Sequence, residues 1–390
     1  MSFFSRFSKK KNHERVLFID IGSGAVSTAL VAFGDSRPHV LGHIEEYVTV
    51  TEHSSLVDVQ KHMLSALKTA LSRTQKLHLA SPDRISVCLG APWYMSQVRK
   101  AHMSRPTNFV VTQSMLDDMI AREIQAFESE VVLNTHGTDF QLRQIEARTL
   151  AVDVNGYSAH NPIGVSAQEI SLTLYAGVAQ ESVLEAIENV VFHAYPARAI
   201  SFSSFLAVAY YVSRICFPHE ENALLVDIGG EVTDVSVIRD GVLSQSLTFH
   251  MGSNSVMRSL SKALNRSLAE SASLWRLSVE CKTDGAVAKT CDQTLMKARQ
   301  EWIRHFHAVL ATMLGSAPAP KTVIVSVEKD ATAWFTETIS KDFAPHTLHV
   351  LSAGLLHGSI TFDAEVPRDP SLLMEIIGAG YLRRNTSMVQ

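Results

Sequence analysis

Apolar and polar positions along this chain fall into distinct stretches, and each stretch predicts an element. Val16–Phe33 and Leu224–Ile238 are apolar runs interrupted by a glycine turn. Val, Ile and Thr are enriched after both turns, so each stretch reads as two strands and not as strand then helix. From Ser55 to Leu71, the residues Leu56, Val59, Met63, Leu67 and Leu71 form one stripe, which predicts an amphipathic helix with that face buried. Arg84–Gly90 alternates as a strand. Thr112 or Ser114 caps a following helix whose inward face is Leu116, Met119, Ile120, Ile124 and Phe127, with Asp117 and Asp118 suited to its first turn. Strands are expected at Gln141–Val154 and Glu169–Val178. A helix follows from Glu181, with Val183, Leu184, Ile187 and Val191 inward. This strand–helix–strand–strand–helix order marks a small α+β insert of roughly 110 residues.

Ala199–Ser213 reads as a mostly apolar helix ahead of the second hairpin. A strand ends at Phe249-His-Met-Gly252, and a helix starts there with Val256, Leu260 and Leu264 inward. Ser267–Leu277 continues as helix. A long helix over Asp292–Leu314 turns Leu295, Trp302, Phe306, Val309 and Met313 inward until Ala317-Pro-Ala-Pro320 breaks it. Thr322–Val327 is a strand. Asp369-Pro370-Ser371 leads into a last helix through Ile377, then Gly378 and Gly380.

At 390 residues, the length favours two or three domains. Apolar residues make up 46% and charged residues 19%, the balance of a globular chain. The net charge of −4 argues against a general nucleic-acid surface, and no apolar run is long enough to span a membrane. Cys88, Cys216, Cys281 and Cys291 form no C-x-x-C pair and are too few for a disulfide scaffold. No signal peptide is read at the start, so a cytoplasmic setting is expected. The leader carries Phe3, Phe4 and Phe7 at helical spacing beside Lys9, Lys10 and Lys11. Such a segment either docks on an anionic membrane surface or a partner, or is a solvated end.

The chemistry sits in the two hairpins. Asp20-Ile-Gly22-Ser23-Gly24 and Asp227-Ile-Gly229-Gly230-x-x-Thr233-Asp234 share one design. Successive amides in such turns cradle phosphate oxygens, and an aspartate at the strand end holds magnesium through its waters. A dinucleotide fingerprint is excluded, since a strand follows the glycines. A Walker A loop is excluded because no Lys-Ser/Thr follows. No H-E-x-x-H or G-x-S-x-G occurs. His305 and His307, two apart, do not share a helix face. Two copies half a chain apart predict two related halves offering their turns to one cleft.

These motifs resemble the actin-like ATPase superfamily, over most of the chain. The resemblance implies an α/β, two-lobed actin-like fold of the duplicated ribonuclease H-like type, gripping ATP and Mg between its lobes. The nucleotide residues carried over are Asp20, Gly22, Ser23, Gly24, Asp227, Gly229, Gly230, Thr233, Gly252 and Asn254, with Asp20 and Asp227 toward the metal. The insert narrows the resemblance to the FtsA/PilM-like branch, whose members carry a small domain called 1C, or SHS2-like, at this point. Gly156-Tyr-Ser-Ala-His-Asn161-Pro162-Ile-Gly164 resembles the Asn-Pro-x-Gly segment of the division protein FtsA, though those residue types also predict a plain turn. The implied division is a leader over 1–13, domain 1A over 14–83 and 196–215, a 1C-like insert over 84–195, domain 2A over 216–262 and 321–390, and a helical 2B-like part over 263–320.

The branch implies a scaffold at the cytoplasmic face of the inner membrane that works by binding partners. A division role beside a tubulin-like protein, with possible self-association, is the first expectation. A pilus-assembly role beside an inner-membrane pilus protein is the second. A phosphotransferase or phosphatase of the superfamily is the alternative from another class. FtsA's C-terminal linker and amphipathic helix have no counterpart before Gln390, which shifts the expected membrane link to the leader or a partner. The adenosine motif of the superfamily, a strand ending in glycines, is replaced by Thr322–Val327 followed by Glu328-Lys329-Asp330-Ala331. Side chains there crowd a purine and bring a carboxylate toward its phosphates, so ATP hydrolysis is expected to be weak or absent. Asp20→Ala and Asp227→Ala are each expected to weaken any ATP binding. Glu231 in the second turn is read as hydrogen-bonding or repelling.

Overall fold

The computed structural model describes residues 14–34, 37–52, 55–134, 141–279, 285–363, 366–367 and 369–385. The Phe- and Lys-rich leader over 1–13 lies outside them.

The first lobe opens with β1 (Glu14–Ile21), β2 (Ala25–Phe33) and β3 (His39–Tyr47), an antiparallel meander. Helix α1 (Leu56–Lys76) follows, with Ser55 Oγ accepting from the Asp58 amide at its start. Its buried face holds Val59, Met63, Leu67 and Leu71, four of the five stripe positions expected from spacing; Leu56, at the first position of the helix, is exposed. Strand β4 (Arg84–Leu89) pairs in parallel with β1.

A separate four-stranded antiparallel sheet comes next. It is built of β5 (Met95–Val110), β6 (Leu142–Val154), β7 (Tyr157–Ser158) and β8 (Ser166–Gln180) in the order β5-β8-β6-β7, with α2 (Gln113–Asn134) packed on it. The chain then returns through α3 (Glu181–Ala194), β9 (Ile200–Ser204) and α4 (Phe205–Cys216). The buried Glu146 carboxylate of β6 accepts from the amide of Ser204 at 2.8 Å and from its hydroxyl, while Tyr175 Oη lies 2.7 Å from Ser204 Oγ. These buried bonds fix the small sheet to β9.

The second lobe comprises β10 (Ala223–Ile228), β11 (Thr233–Arg239), β12 (Val242–Phe249), α5 (Ser253–Leu264), α6 (Leu268–Val279), α7 (Gly285–Leu314), β13 (Thr322–Val327), α8 (Thr332–Asp342) and β14 (Thr347–Val350). The chain ends back on the first lobe with α9 (Ala353–Leu356), β15 (Thr361–Phe362) and α10 (Pro370–Asn385). The first sheet runs β15-β3-β2-β1-β4-β9 and the second β12-β11-β10-β13-β14. Without the short β15, the two orders and strand directions are the same, as a duplicated half requires. One core surrounds Phe18, Leu67 and Ile187 and continues onto Leu225, Ile238 and Ile324 of the second lobe's sheet; another, around Trp302, Phe306 and Phe335, lies within the second lobe.

Several elements differ from the pattern-based reading. Ile200–Ser204 is a strand and not the start of a helix, because its backbone completes the edge pairing with β4; α4 begins only at Phe205. Strand β4 and helix α3, read as parts of the insert, belong to the first lobe: β4 pairs with β1, and α3 packs on α1. Helix α7 starts earlier, at Gly285. Helix α10 runs past Gly378 and Gly380 and packs on α4. Among the described residues, no helix is long and apolar enough to cross a membrane.

Candidate functional site

The two hairpins carry the same internal geometry. Asp20 sits opposite Ser27 on β2 and Cys88 on β4; Asp227 sits opposite Asp234 on β11 and Ser326 on β13. The Gly22 amide donates to the Ala25 carbonyl at 3.0 Å, and the Gly229 amide to the Val232 carbonyl at 3.0 Å. Both turns open into one cleft of about 1530 Å³. Of the ten residues expected to meet a nucleotide, Asp20, Gly22, Ser23, Gly24, Asp227, Gly229, Gly230 and Asn254 line that cleft.

Thr233 and Gly252 do not. Thr233 is fully buried; its hydroxyl donates to the Met251 carbonyl at 2.7 Å and accepts from Trp302 Nε1 at 3.2 Å. Gly252 lies behind the second turn, where a Cβ would stand 2.5 Å from the Gly230 carbonyl oxygen.

The turns touch each other. A Cβ on Gly230 would lie 2.8 Å from the Gly24 nitrogen and 2.9 Å from its Cα, so only glycine permits this approach. Ser23 Oγ accepts from the Glu231 amide at 3.0 Å. At the start of α5, the Ser253 and Asn254 amides donate to the Gly229 and Gly230 carbonyls at 3.0 and 2.8 Å. Glu231, left open by its sequence context, is a strut. It accepts from Asn254 Nδ2 and Arg258 Nη1, each at 2.8 Å, and Arg258 Nε reaches the Thr51 carbonyl of the other lobe at 2.9 Å.

The cleft is acidic. Among the described residues, Asp20, Glu45, Asp227, Asp234, Glu328, Asp330 and Asp369 line it together with one arginine, Arg276. Glu328 ends β13 where the superfamily's glycines are absent, and its carboxylate rests on the first turn: a Cβ on Gly24 would run into Oε1. Burial pushes the Glu328 carboxyl up to about 7, aided by repulsion from Glu45. Burial and then Asp234 push Asp227 up to about 8. Burial also lifts Asp234 to about 6, against hydrogen bonds from Thr248 and Tyr94. Asp20 and Glu375 are both pushed well up, chiefly by burial and then by neighbouring carboxylates. Burial pushes Asp369 up too, but hydrogen bonding with His43 and Ser27 outweighs it and holds the carboxyl below its ordinary range.

A magnesium ion matches these carboxylates in charge and donor type. A triphosphate between the turns does not match. The amides of Gly22, Gly229, Glu231, Ser253 and Asn254 already donate within the protein, and a carboxylate rests on the Gly24 turn where an anion would have to approach.

Asp369, Glu375, His43 and Cys88 join this site without having stood out in the sequence. The available signal was Glu375 inside the apolar run Leu372-Leu-Met-Glu-Ile-Ile377, a carboxylate on a helix otherwise built to be buried.

No family model and no curated protein matches this chain. Solved structures do. A chain of a PilM–PilN type IV pilus biogenesis complex is similar over 95% of this chain and 98% of its own, with TM-score 0.62 and 10% identity. The ethanolamine utilization protein EutJ from Carboxydothermus hydrogenoformans is similar over 92% and 87%, with TM-score 0.45 and 12% identity. A Bacteroides thetaiotaomicron protein described as having an actin-like ATPase fold is similar over 97% and 99%, with TM-score 0.44 and 9% identity. The chain has the α/β actin-like ATPase fold.

Proposed function

We propose that this chain is an actin-fold scaffold that works by binding protein partners, with its interlobe cleft serving as a joint and not as a site of nucleotide turnover. One observation carries this reading: the two glycine turns meet backbone to backbone, with Glu328 seated on the first of them. An enzyme of this fold would need a gap there for the group it transfers, and donors aimed at the charge that develops. The cleft offers a surplus of carboxylates instead.

Within that class we assign the chain a PilM-type role in pilus assembly, at the cytoplasmic face of the inner membrane. The likeness that runs nearly end to end with the PilM–PilN complex chain supports this role. We assign the four-stranded sheet with α2 to partner contacts, as this chain's 1C-like unit. The division role is the second reading, favoured by Asn161-Pro162-Ile-Gly164. The test is co-purification of the full chain with two defined candidates from its own host: the inner-membrane pilus protein and the tubulin-like division protein. Stoichiometric retention of the pilus protein alone is expected. Retention of the division protein alone reverses the assignment, and ATP turnover at an ordinary enzyme rate of about 10 per second rejects the scaffold class.

A further inference from the structure

Beneath the first turn, three side chains from three distant parts of the chain converge. Asp20 and Cys88 are register partners on the adjacent parallel strands β1 and β4, and α10 packs across β1 and brings Glu375 down beside them. A carboxylate oxygen of Asp20, Sγ of Cys88 and a carboxylate oxygen of Glu375 all lie within 4.8 Å of one another. Cys88 is 1% exposed and Glu375 3%.

Neither carboxylate oxygen of Glu375 accepts from an amide, a hydroxyl or a basic side chain; its polar neighbours are Asp20 and the Cys88 thiol. A buried, unpaired carboxylate is costly, and a second one beside it more so. The nearby His43 does not supply the missing charge, because its Nε2 faces Asp369 at 3.7 Å. The arrangement therefore calls for a positive centre between Asp20 and Glu375, either a shared proton or a metal ion. Without an ion, burial and the two carboxylates hold the Cys88 thiol well up and protonated, so its sulfur becomes a ligand only if a metal displaces that proton. One thiolate with two carboxylates is a donor set for a borderline-soft divalent ion. Bonds of about 2.0–2.3 Å hold tetrahedral ligand atoms about 3.3–3.8 Å apart, so the trio closes on an ion through side-chain shifts on the order of 1 Å. Asp20 also lines the cleft, which leaves the fourth position facing open space.

We propose that Asp20, Cys88 and Glu375 form a buried site for a single divalent cation of the zinc class, with its fourth position open to the interlobe cleft. Direct thiolate ligation separates it from a hydrated magnesium ion held between Asp20 and Asp227. The ion ties β1, β4 and α10 together at the base of the first turn. Sequence spacing does not reveal the site, because its ligands stand at 20, 88 and 375 with no local motif.

Cobalt(II) serves as the spectroscopic probe, added to the full-length, metal-stripped protein. One equivalent is expected to produce a thiolate-to-cobalt charge-transfer band, and zinc is expected to displace it. Cys88→Ala is expected to abolish the band, and Glu375→Gln to weaken zinc affinity by more than about 10-fold. Absence of the band in the folded wild type with excess cobalt overturns the proposal in favour of a shared proton. A band that survives in Cys88→Ala belongs to another thiol and equally overturns it. If Cys88→Ala fails to fold by circular dichroism, Glu375→Gln decides: unchanged zinc affinity in that variant rejects the site.

Discussion

Gly230 of the second turn stands against the backbone of Gly24 of the first, so close that a single added carbon would lie 2.8 Å from the Gly24 nitrogen. Contact between the lobes at this point is main chain on main chain and cannot relax by rotating a side chain. Gly230→Ala is therefore expected to destabilise the protein by about 1–3 kcal/mol, as overpacking does, through separation of the turns. Gly358→Ala is the control, since nothing lies within 4 Å of its added carbon; it is expected to stay within about 0.5 kcal/mol of wild type. Denaturant midpoints measure both. Equal midpoints for Gly230→Ala and wild type would show that the turns stand apart in solution.

The same contact, with Glu328 beside it, bears on nucleotide. Calorimetry with ATP and magnesium is expected to show no binding at micromolar concentrations, and hydrolysis should stay far below about 10 per second. Glu328→Gln removes the charge that rests on the Gly24 turn without changing its shape, so any residual ATP affinity should rise in that variant. Micromolar affinity in the wild type would show that the turns part readily for a triphosphate.

Thr233 separates a ligand role from a structural one. Its hydroxyl accepts from Trp302 Nε1 and donates to the Met251 carbonyl, deep in the second lobe. Trp302 stacks on Phe306 at 5.2 Å between centroids and meets Phe335 edge-on at 5.5 Å. Thr233→Val keeps the volume but leaves the indole N–H unpaired, so a loss of about 1–3 kcal/mol is expected. The lone-thiol cobalt spectrum and partner retention should be unchanged. A variant as stable as wild type that loses ligand binding would return Thr233 to the cleft.

What the chain revealed in advance follows physical range. Local patterns were legible: the Leu56–Leu71 stripe, the two hairpins and the long helix through Trp302 all follow from spacing of two or 3.6 residues. The cleft was legible because its turns repeat. Elements that owe their conformation to a distant partner were not. Ile200–Ser204 is a strand through pairing with Ile85–Leu89, and α10 continues past Gly378 where it packs on α4. Glu375 and Asp369 matter only because α10 packs on β1 and β2, which brings them to residues more than 300 positions earlier. Thr233 was carried toward the cleft by the resemblance of its motif, whereas its hydroxyl bonds Met251 and Trp302 inside the second lobe.

The cleft carboxylates set a direction for pH. Glu328 titrates near 7 and Asp234 near 6 in the folded protein, against ordinary values of 4.5 and 3.8. Both are raised, so the folded state binds more protons than the unfolded chain between those limits, and stability falls as pH rises through that window. The contribution is complete below about pH 4 and gone above about pH 8, on the order of 1 kcal/mol per group after allowance for solvent in the cleft. Asp369, Asp83 and Glu220 are held below their ordinary values and titrate under this window with the opposite sign. The denaturant midpoint is thus expected to drop between about pH 5.5 and pH 8 in metal-free protein. Glu328→Gln and Asp234→Asn should each flatten that slope, because an amide keeps the neutral form at every pH. A midpoint that instead climbs over this range in the metal-free protein would show that Glu328 and Asp234 are not held above their ordinary values in the fold.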